Sequence, residues 1–189
     1  MKYLKVAIVV ALVALALAAC APKLPQADVD AATAAFNDAK TAQADVYAAD
    51  SFNAASAAND TLQADLTSKA YGKAKTDAKA LLDASNKAKA DVDAGKTAMK
   101  TTLDGIVVAI NAELPVVQKE LAQAVKAGKK AKTDVTPLKT LIADTQKGLA
   151  DVKTAEDAGN IGDANSKATA LQATLDSARK QLEDAGYKA

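Results

Sequence analysis

Residues 73–92 read KAKTDAKALLDASNKAKADV, and this stretch decides the fold. Its apolar residues recur three and four positions apart, which is the period of an α-helix with one buried face. The same spacing continues through Ile106 and Val125 and stops at Gly128. It therefore predicts one helix of about 55 residues, because no strand-like alternation or cluster of turn residues interrupts it.

Three residues weaken this long helix: Gly95, Gly105 and Pro115. Glycine lowers helix propensity, and proline removes one backbone hydrogen bond and crowds the preceding turn. We predict a continuous but kinked helix. The alternative is a break at Gly105 or Pro115, which would give a compact five-helix bundle.

Helical spacing also covers the chain on both sides of this stretch, and it predicts two helices before it and two after it. The first buries one face formed by Val29, Ala32, Phe36, Ala39 and Val46. Asp50 or Ser51 is the expected N-cap of the second, Thr136 followed by Pro137 starts the fourth, and Asp163 caps the fifth.

Alanine fills 48 of the 189 positions, and this determines the expected packing. Alanine has the highest helix propensity and lets helix axes approach closely, but each residue buries little area. We predict an all-α fold, an elongated antiparallel helical bundle of about five helices resembling a coiled coil. Two three-helix bundles would share the long central helix, with halves at 28–104 and 105–189. The segments Tyr71-Gly72-Lys73-Ala74 and Ile161-Gly162-Asp163-Ala164 are similar and lie ninety positions apart. This internal similarity suggests a duplicated helical hairpin.

The N-terminus carries a targeting signal. Lys2 and Lys5 precede an uninterrupted apolar run at residues 6–19. Fourteen helical residues rise only about 21 Å, which is too short to span a bilayer comfortably and typical of a secretory signal. The run ends in Leu17-Ala18-Ala19-Cys20, which contains the only cysteine of the chain.

This segment resembles the lipobox of bacterial lipoproteins. The resemblance implies that residues 1–19 are a cleaved signal peptide and that the thiol of Cys20 receives a diacylglycerol before its new amine is acylated. Residues 20–27 would then be the lipidated cysteine and a tether, and 28–189 the helical body. Ala21, where the family uses Asp for inner-membrane retention, implies the periplasmic face of the outer membrane.

Residues 28 to about 92 also resemble an Ala-rich domain of unknown function found in bacterial envelope lipoproteins. The matching positions are Tyr47, Phe52, Ala55, Tyr71, Ala74 and Ala78, although Ala49 stands where that family has proline. The resemblance implies a helical hairpin and an envelope location, and it brings no activity.

Composition excludes several classes of chemistry. The chain has no His, one Cys and one Arg (Arg179), so we expect no His-based catalysis and no metal or other cofactor. Loss of residues 1–19 removes two lysines and leaves 22 basic and 23 acidic residues. This balance argues against a nucleic-acid partner. We predict that the protein is not an enzyme.

Two groups of charged side chains remain as site candidates. Glu113 and Glu120 lie seven residues apart on one helical face, and we interpret them as a solvated face rather than a catalytic carboxylate pair. The second group is a basic cluster of four lysines, Lys126, Lys129, Lys130 and Lys132. It either complements a helix C-terminus or contacts an anionic partner such as peptidoglycan.

The sequence thus predicts a non-catalytic, lipid-anchored envelope protein that acts as a helical spacer or a protein-interaction adaptor. Its partners would be the membrane, through the lipid, and another envelope protein or a second copy of itself. The alternative is a peptidoglycan-contacting lipoprotein that uses the lysine cluster.

Overall fold

The structure, a computed structural model, describes residues 23–128 and 134–188, and every regular element within them is an α-helix. This confirms the predicted all-α fold class. The six helices are α1 (Gln26–Thr41), α2 (Ala44–Tyr47), α3 (Ala49–Thr67), α4 (Tyr71–Ala127), α5 (Val135–Asp157) and α6 (Ile161–Asp184).

Helix α4 is the long central helix, and its 57 residues run without a break through Gly105 and Pro115. Both residues are exposed. The carbonyl of Asn111, which loses the hydrogen bond that residue 115 would donate, is therefore close to water rather than stranded in the core. The predicted continuous helix is confirmed, and the alternative break is not observed.

The chain divides into two units, one up to Val92 and one from Asp93 onward. The first unit contains α1, α2, α3 and the beginning of α4. Alanine forms much of its core, and the larger buried side chains are those of Phe36, Leu62 and Leu81. The rings of Phe36 and Phe52 stack with centroids 5.4 Å apart, so these aromatic residues fill an alanine-lined core.

The second unit contains the rest of α4 together with α5 and α6. Its core residues come from all three helices, and the fully buried ones include Ile110, Val117, Leu138, Leu175 and Leu182. A smaller cluster forms around Leu103 and Val152. The first unit therefore joins part of α4 to two long helices and the short α2, and the second joins the rest of α4 to α5 and α6, in keeping with the predicted bundles that share a central helix. The division lies at Val92–Asp93, ahead of the expected halves at 28–104 and 105–189.

The first predicted helix was too long. Helix α1 ends at Thr41, Gln43 adopts a left-handed conformation with φ 60°, and the short helix α2 follows. This break rotates the chain, so Ala44 and Tyr47 are buried whereas Val46 is 41% exposed. Val125, expected inside the long helix face, is exposed as well, and Ala124 is buried in its place.

The helix starts also differ in detail. Asp134, not Thr136, caps α5 by accepting a hydrogen bond of 2.9 Å from the Thr136 amide. Helix α3 begins at Ala49 without a side-chain cap, and α6 begins at Ile161 with Asp163 in its first turn. The Ser51 hydroxyl instead donates to Asp91 on α4. The predicted helices are therefore present, but one of the expected caps, Ser51, makes a contact between helices instead.

Two helix-to-helix turns ninety residues apart share one geometry. In the α3–α4 turn the Ala70 amide donates to the Asp65 carbonyl, and in the α5–α6 turn the Asn160 amide donates to the Ala155 carbonyl. The following helices bury residues at the same offset; the pairs are Ala74 and Ala164, Ala78 and Ala168, Ala88 and Ala178, and Val92 and Leu182. This agreement is what a duplicated hairpin would produce.

The two turns differ at one position of positive φ. Gly159 occupies it at φ 78° in the α5–α6 turn, but Lys69 occupies it at φ 58° in the α3–α4 turn. A side chain with a Cβ atom is strained there, so we expect Lys69→Gly to raise the free energy of unfolding by about 1 kcal/mol.

Urea denaturation of the full chain measures this effect. Gly159→Lys should lower the free energy of unfolding by a similar amount, and Lys73→Gly, an exposed position in the first turn of α4, should not stabilise the protein. A Lys69→Gly variant no more stable than the wild type would contradict the strain.

Candidate functional site

The predicted binding residues lie mostly outside the described part of the chain. Cys20 and the lysines Lys129, Lys130 and Lys132 belong to that outside part, so their roles stay predictions. Lys126 is described: it is exposed in the last turn of α4. A basic residue there complements the partial negative charge of the helix C-terminus.

The interpretation of Glu113 and Glu120 as a solvated face is wrong. The Glu113 side chain is only 15% exposed, and Glu120 is 1% exposed although it carries a carboxyl group. Both lie beside the buried stripe of α4 that includes Val117 and Leu121. Their burial depends on α6, which packs against this part of α4 and brings a cation to it.

That cation is Arg179, the only arginine of the chain. Its Nη1 atom lies 3.2 Å from Glu113 Oε1 and its Nε atom lies 3.0 Å from Glu183 Oε1. The guanidinium group thus links α4 to α6 while it also pairs with a carboxylate one turn along α6. Arginine suits this position because its planar group presents several donors in fixed directions.

The acidic groups outnumber the cation in this cluster, which we call the Arg179 cluster (Glu113, Glu120, Asp176, Arg179 and Glu183). Burial raises the pKa of Glu113; the hydrogen bond from Arg179 opposes this, and a hydrogen bond with Asp176 adds to it. The hydrogen bond to Glu113 raises the pKa of Arg179, so the guanidinium group stays charged. The arrangement holds two helices together and raises the pKa of one of its carboxyl groups above the ordinary value.

One feature of the sequence indicates this cluster. A single arginine among 24 basic residues marks a position where lysine does not suffice, because only arginine donates in a planar fork. The partners could not be identified from the sequence, since they depend on how α6 packs on α4.

A second polar contact lies in the first unit, where α3 meets α4. Asp91 accepts from the Ser51 hydroxyl, and its Oδ2 atom lies 2.7 Å from Lys87 Nζ. The hydrogen bond from Lys87 lowers the pKa of Asp91, and the one from Ser51 lowers it further. This carboxylate is therefore fixed in its charged form as a link between helices.

An open groove of about 610 Å³ lies along α5 and α6 in the second unit, where Leu141, Thr145 and Leu171 contribute to its lining. The Thr145 hydroxyl donates to the Leu141 carbonyl within α5 at 2.8 Å, so this hydroxyl already has a hydrogen-bond partner.

Residues 23–128 and 134–188 contain no group of three or more acidic or Cys side chains placed to hold a metal ion. None of the described helices has both the length and the apolar character needed to cross a membrane.

Comparisons with protein families, with curated proteins and with solved structures find no match for this chain. The two resemblances drawn from the sequence therefore stay predictions.

The Arg179 cluster makes the stability of the second unit depend on pH. Because the pKa of Glu113 is raised in the folded state, protonation of Glu113 favours folding. Its contribution to the free energy of unfolding should grow as pH falls from 7 through the folded pKa, and level off below the ordinary value for glutamate.

Hydrogen exchange of α6 amides at pH 7, 6, 5 and 4 checks this in wild type and Glu113→Gln. The opening free energy of wild type should rise relative to that of the variant as pH falls. Asp144→Asn, at an exposed carboxylate of α5, is the control for loss of one acid. A wild-type advantage that shrinks at low pH would contradict the assignment.

Proposed function

We propose that the protein is a non-catalytic, lipid-anchored component of the cell envelope whose helical body faces the periplasm as a spacer or a protein-interaction adaptor. The observation that carries the proposal is the sequence Leu17-Ala18-Ala19-Cys20 at the end of an apolar run. It stands directly ahead of a helical body that begins at Gln26.

The junction between anchor and body is short. The amide of Gln26 donates to the Leu24 carbonyl at 2.9 Å, and the Val29 amide donates to the Pro25 carbonyl at 3.1 Å. Ordered helix therefore starts about six residues after Cys20, a span of roughly 20 Å when fully extended. A body attached this closely would stay near the membrane surface.

The surface chemistry of the helices supports a role in spacing or contact. Exposed Lys and Asp side chains pair four residues apart along single helices, as in Lys79–Asp83 and Lys153–Asp157. Such pairs keep helices hydrated and add a few tenths of a kcal/mol each. The more buried charges of the Arg179 cluster hold helices together, which is a structural use of polar groups.

Lipidation is tested in a diderm bacterium that expresses the full-length chain with an alkyne-labelled fatty acid. Wild type should incorporate the label, lose residues 1–19 and remain in the membrane fraction after a high-salt wash. Cys20→Ser should stay unlabelled and uncleaved. Ala21→Asp is the control for delivery to the outer membrane. This variant should incorporate the label to the same extent as wild type, but a larger share of it should remain in the inner membrane. An unlabelled wild-type protein would refute the anchor.

The spacer and adaptor roles are separated by chemical crosslinking of lysines in the same cells. Reproducible crosslinks to one other envelope protein would favour the adaptor. Crosslinks between copies alone would favour the spacer.

The alternative proposal is contact with peptidoglycan through the Lys126, Lys129, Lys130 and Lys132 cluster. Its support is the exposed position of Lys126 at the end of α4, where further lysines follow in the sequence. Acidic stem peptides are the matching anionic groups.

Sedimentation of full-length lipidated protein with purified sacculi in detergent tests this contact. Retention should be high at low salt and fall steeply as salt is raised. Replacement of the four cluster lysines by Gln should abolish it. The same replacement at the exposed residues Lys73, Lys75, Lys139 and Lys147 removes equal charge and should preserve it. No retention at low salt would end the alternative.

A further inference from the structure

One exposed face of α4 in the second unit is uncharged over four turns. Gly105, Val108, Ala112 and Pro115 follow one another at helical spacing and are all exposed, with Val108 68% exposed. Glu113, the only charged residue between Asp104 and Lys119, points away from this face toward Arg179. The face is therefore apolar and small-sided in a chain that is otherwise rich in charge.

The outer face of the same helix in the first unit is built differently. There Lys79 pairs with Asp83 at 2.7 Å, and both side chains are exposed. Charged pairs of this kind suit a face that stays in water. Between Asp104 and Lys119 the exposed residues of this face carry no such pairs, so no charged side chains have to be desolvated when another protein surface covers them.

We propose that this face binds the same face of a second copy of the chain in antiparallel orientation. We call it the outer stripe; it consists of Thr101, Asp104, Gly105, Val108, Asn111, Ala112, Pro115, Gln118, Lys119 and Ala122, all exposed. The proposal concerns helix α4 alone and does not depend on the lipid anchor.

Charge complementarity selects both the partner and its direction. A two-fold axis between Asn111 and Ala112 places Asp104 of each copy opposite Lys119 of the other, at both ends of the stripe. A parallel pair would place Asp104 against Asp104 and Lys119 against Lys119, and like charges in contact are unfavourable. The ion pair of Asp104 with Lys100, at 3.3 Å, is exposed and therefore weak.

The apolar and polar residues of the stripe follow the same symmetry. Val108 faces Pro115 of the other copy, once on each side of the axis, so the two bulkier apolar groups meet twice. Small residues at Gly105 and Ala112 let the helix axes approach toward 8 Å. An isologous contact of this type uses one surface twice and closes after two copies.

The centre of the stripe also offers a polar contact. Pro115 has no N–H, so the Asn111 carbonyl lacks its usual helical donor. Asn111 Nδ2 now donates to the Val107 carbonyl of its own helix at 2.9 Å. In the antiparallel pair Asn111 faces Ala112 of the second copy, and the neighbouring Asn111 side chain of that copy has a second amide N–H that is able to supply the donor.

The first experiment uses engineered cysteines in the full-length protein, with disulfide formation in cells as the readout. Thr101→Cys and Ala122→Cys lie about 31 Å apart along the helix. Neither variant should form dimers alone beyond the parent, which contains only Cys20, whereas co-expression of the two should give a mixed disulfide. Ala112→Cys, beside the two-fold axis, should crosslink to itself.

Exposed alanines elsewhere supply matched controls. Ala90→Cys on the first-unit part of α4 and Ala150→Cys on α5 are equally exposed and should not crosslink above the parent. Self-crosslinking of Thr101→Cys and of Ala122→Cys at the level of Ala112→Cys would mean parallel pairing and would overturn the proposal. Capture of a protein of a different mass by Ala112→Cys alone would overturn it as well.

The second experiment reverses charges and follows the dimer by sedimentation of the detergent-solubilised protein. Asp104→Lys and Lys119→Asp should each weaken dimerisation about tenfold, because each creates two like-charge contacts in a symmetric pair. The double variant exchanges the charges and should restore wild-type affinity. Lys139→Asp, at an exposed position on α5, should have no effect. A double variant as weak as the single ones, or a wild type that is monomeric at all concentrations, would refute the pairing.

Discussion

Alanine forms a large share of the buried contact surface between the helices of each unit. Ala32, Ala55 and Ala74 are fully buried in the first unit, as are Ala164 and Ala178 in the second. A methyl group holds neighbouring axes close together but buries little area, so the stability of each contact is small. Larger buried residues supply the rest of the area, chiefly in the second unit, where Ile110, Val117 and Leu175 belong to one buried cluster. The high helix propensity of alanine compensates, because each helix needs less support from its neighbours.

Close packing of helices also determines where charged side chains can lie. In a wide core, residues next to the buried stripe of a helix lie well within apolar surroundings, but between closely spaced helices they lie at the edge of the contact. Glu113 and Glu120 lie beside the buried stripe of α4; Arg179 of α6 contacts Glu113, and the charge of Glu120 helps to raise the pKa of Arg179. Replacement of Arg179 or of its acidic partner by a neutral residue would leave a buried charge without a partner. Such a change lowers stability more than the loss of one apolar contact does. Specific pairing of α4 with α6 thus relies on one polar cluster as well as on packing.

The helical period predicted the fold class, the long α4 and most of the buried residues, because a 3.6-residue repeat records directly which side faces inward. It failed where the outcome depends on contacts between helices. The break at Gln43 turns Ala44 and Tyr47 inward in a segment that otherwise continues the α1 pattern. The burial of Glu113 needed knowledge of where α6 lies. Ser51 has the chemistry of an N-cap, yet its hydroxyl donates to Asp91, and a sequence does not show which of two acceptors a hydroxyl meets.

The order of contacts along the chain also bears on how the protein folds. Each unit is a continuous segment, and within it the successive long helices are joined by short turns such as those at Lys69 and Gly159. Contacts between helices that follow one another in the sequence form quickly, since little chain entropy is lost when a short turn brings them together. The first unit contains everything its core requires once Val92 is available. A chain that emerges N-terminus first is able to complete this unit while α5 and α6 are still unfolded, so exposed apolar surface is short-lived.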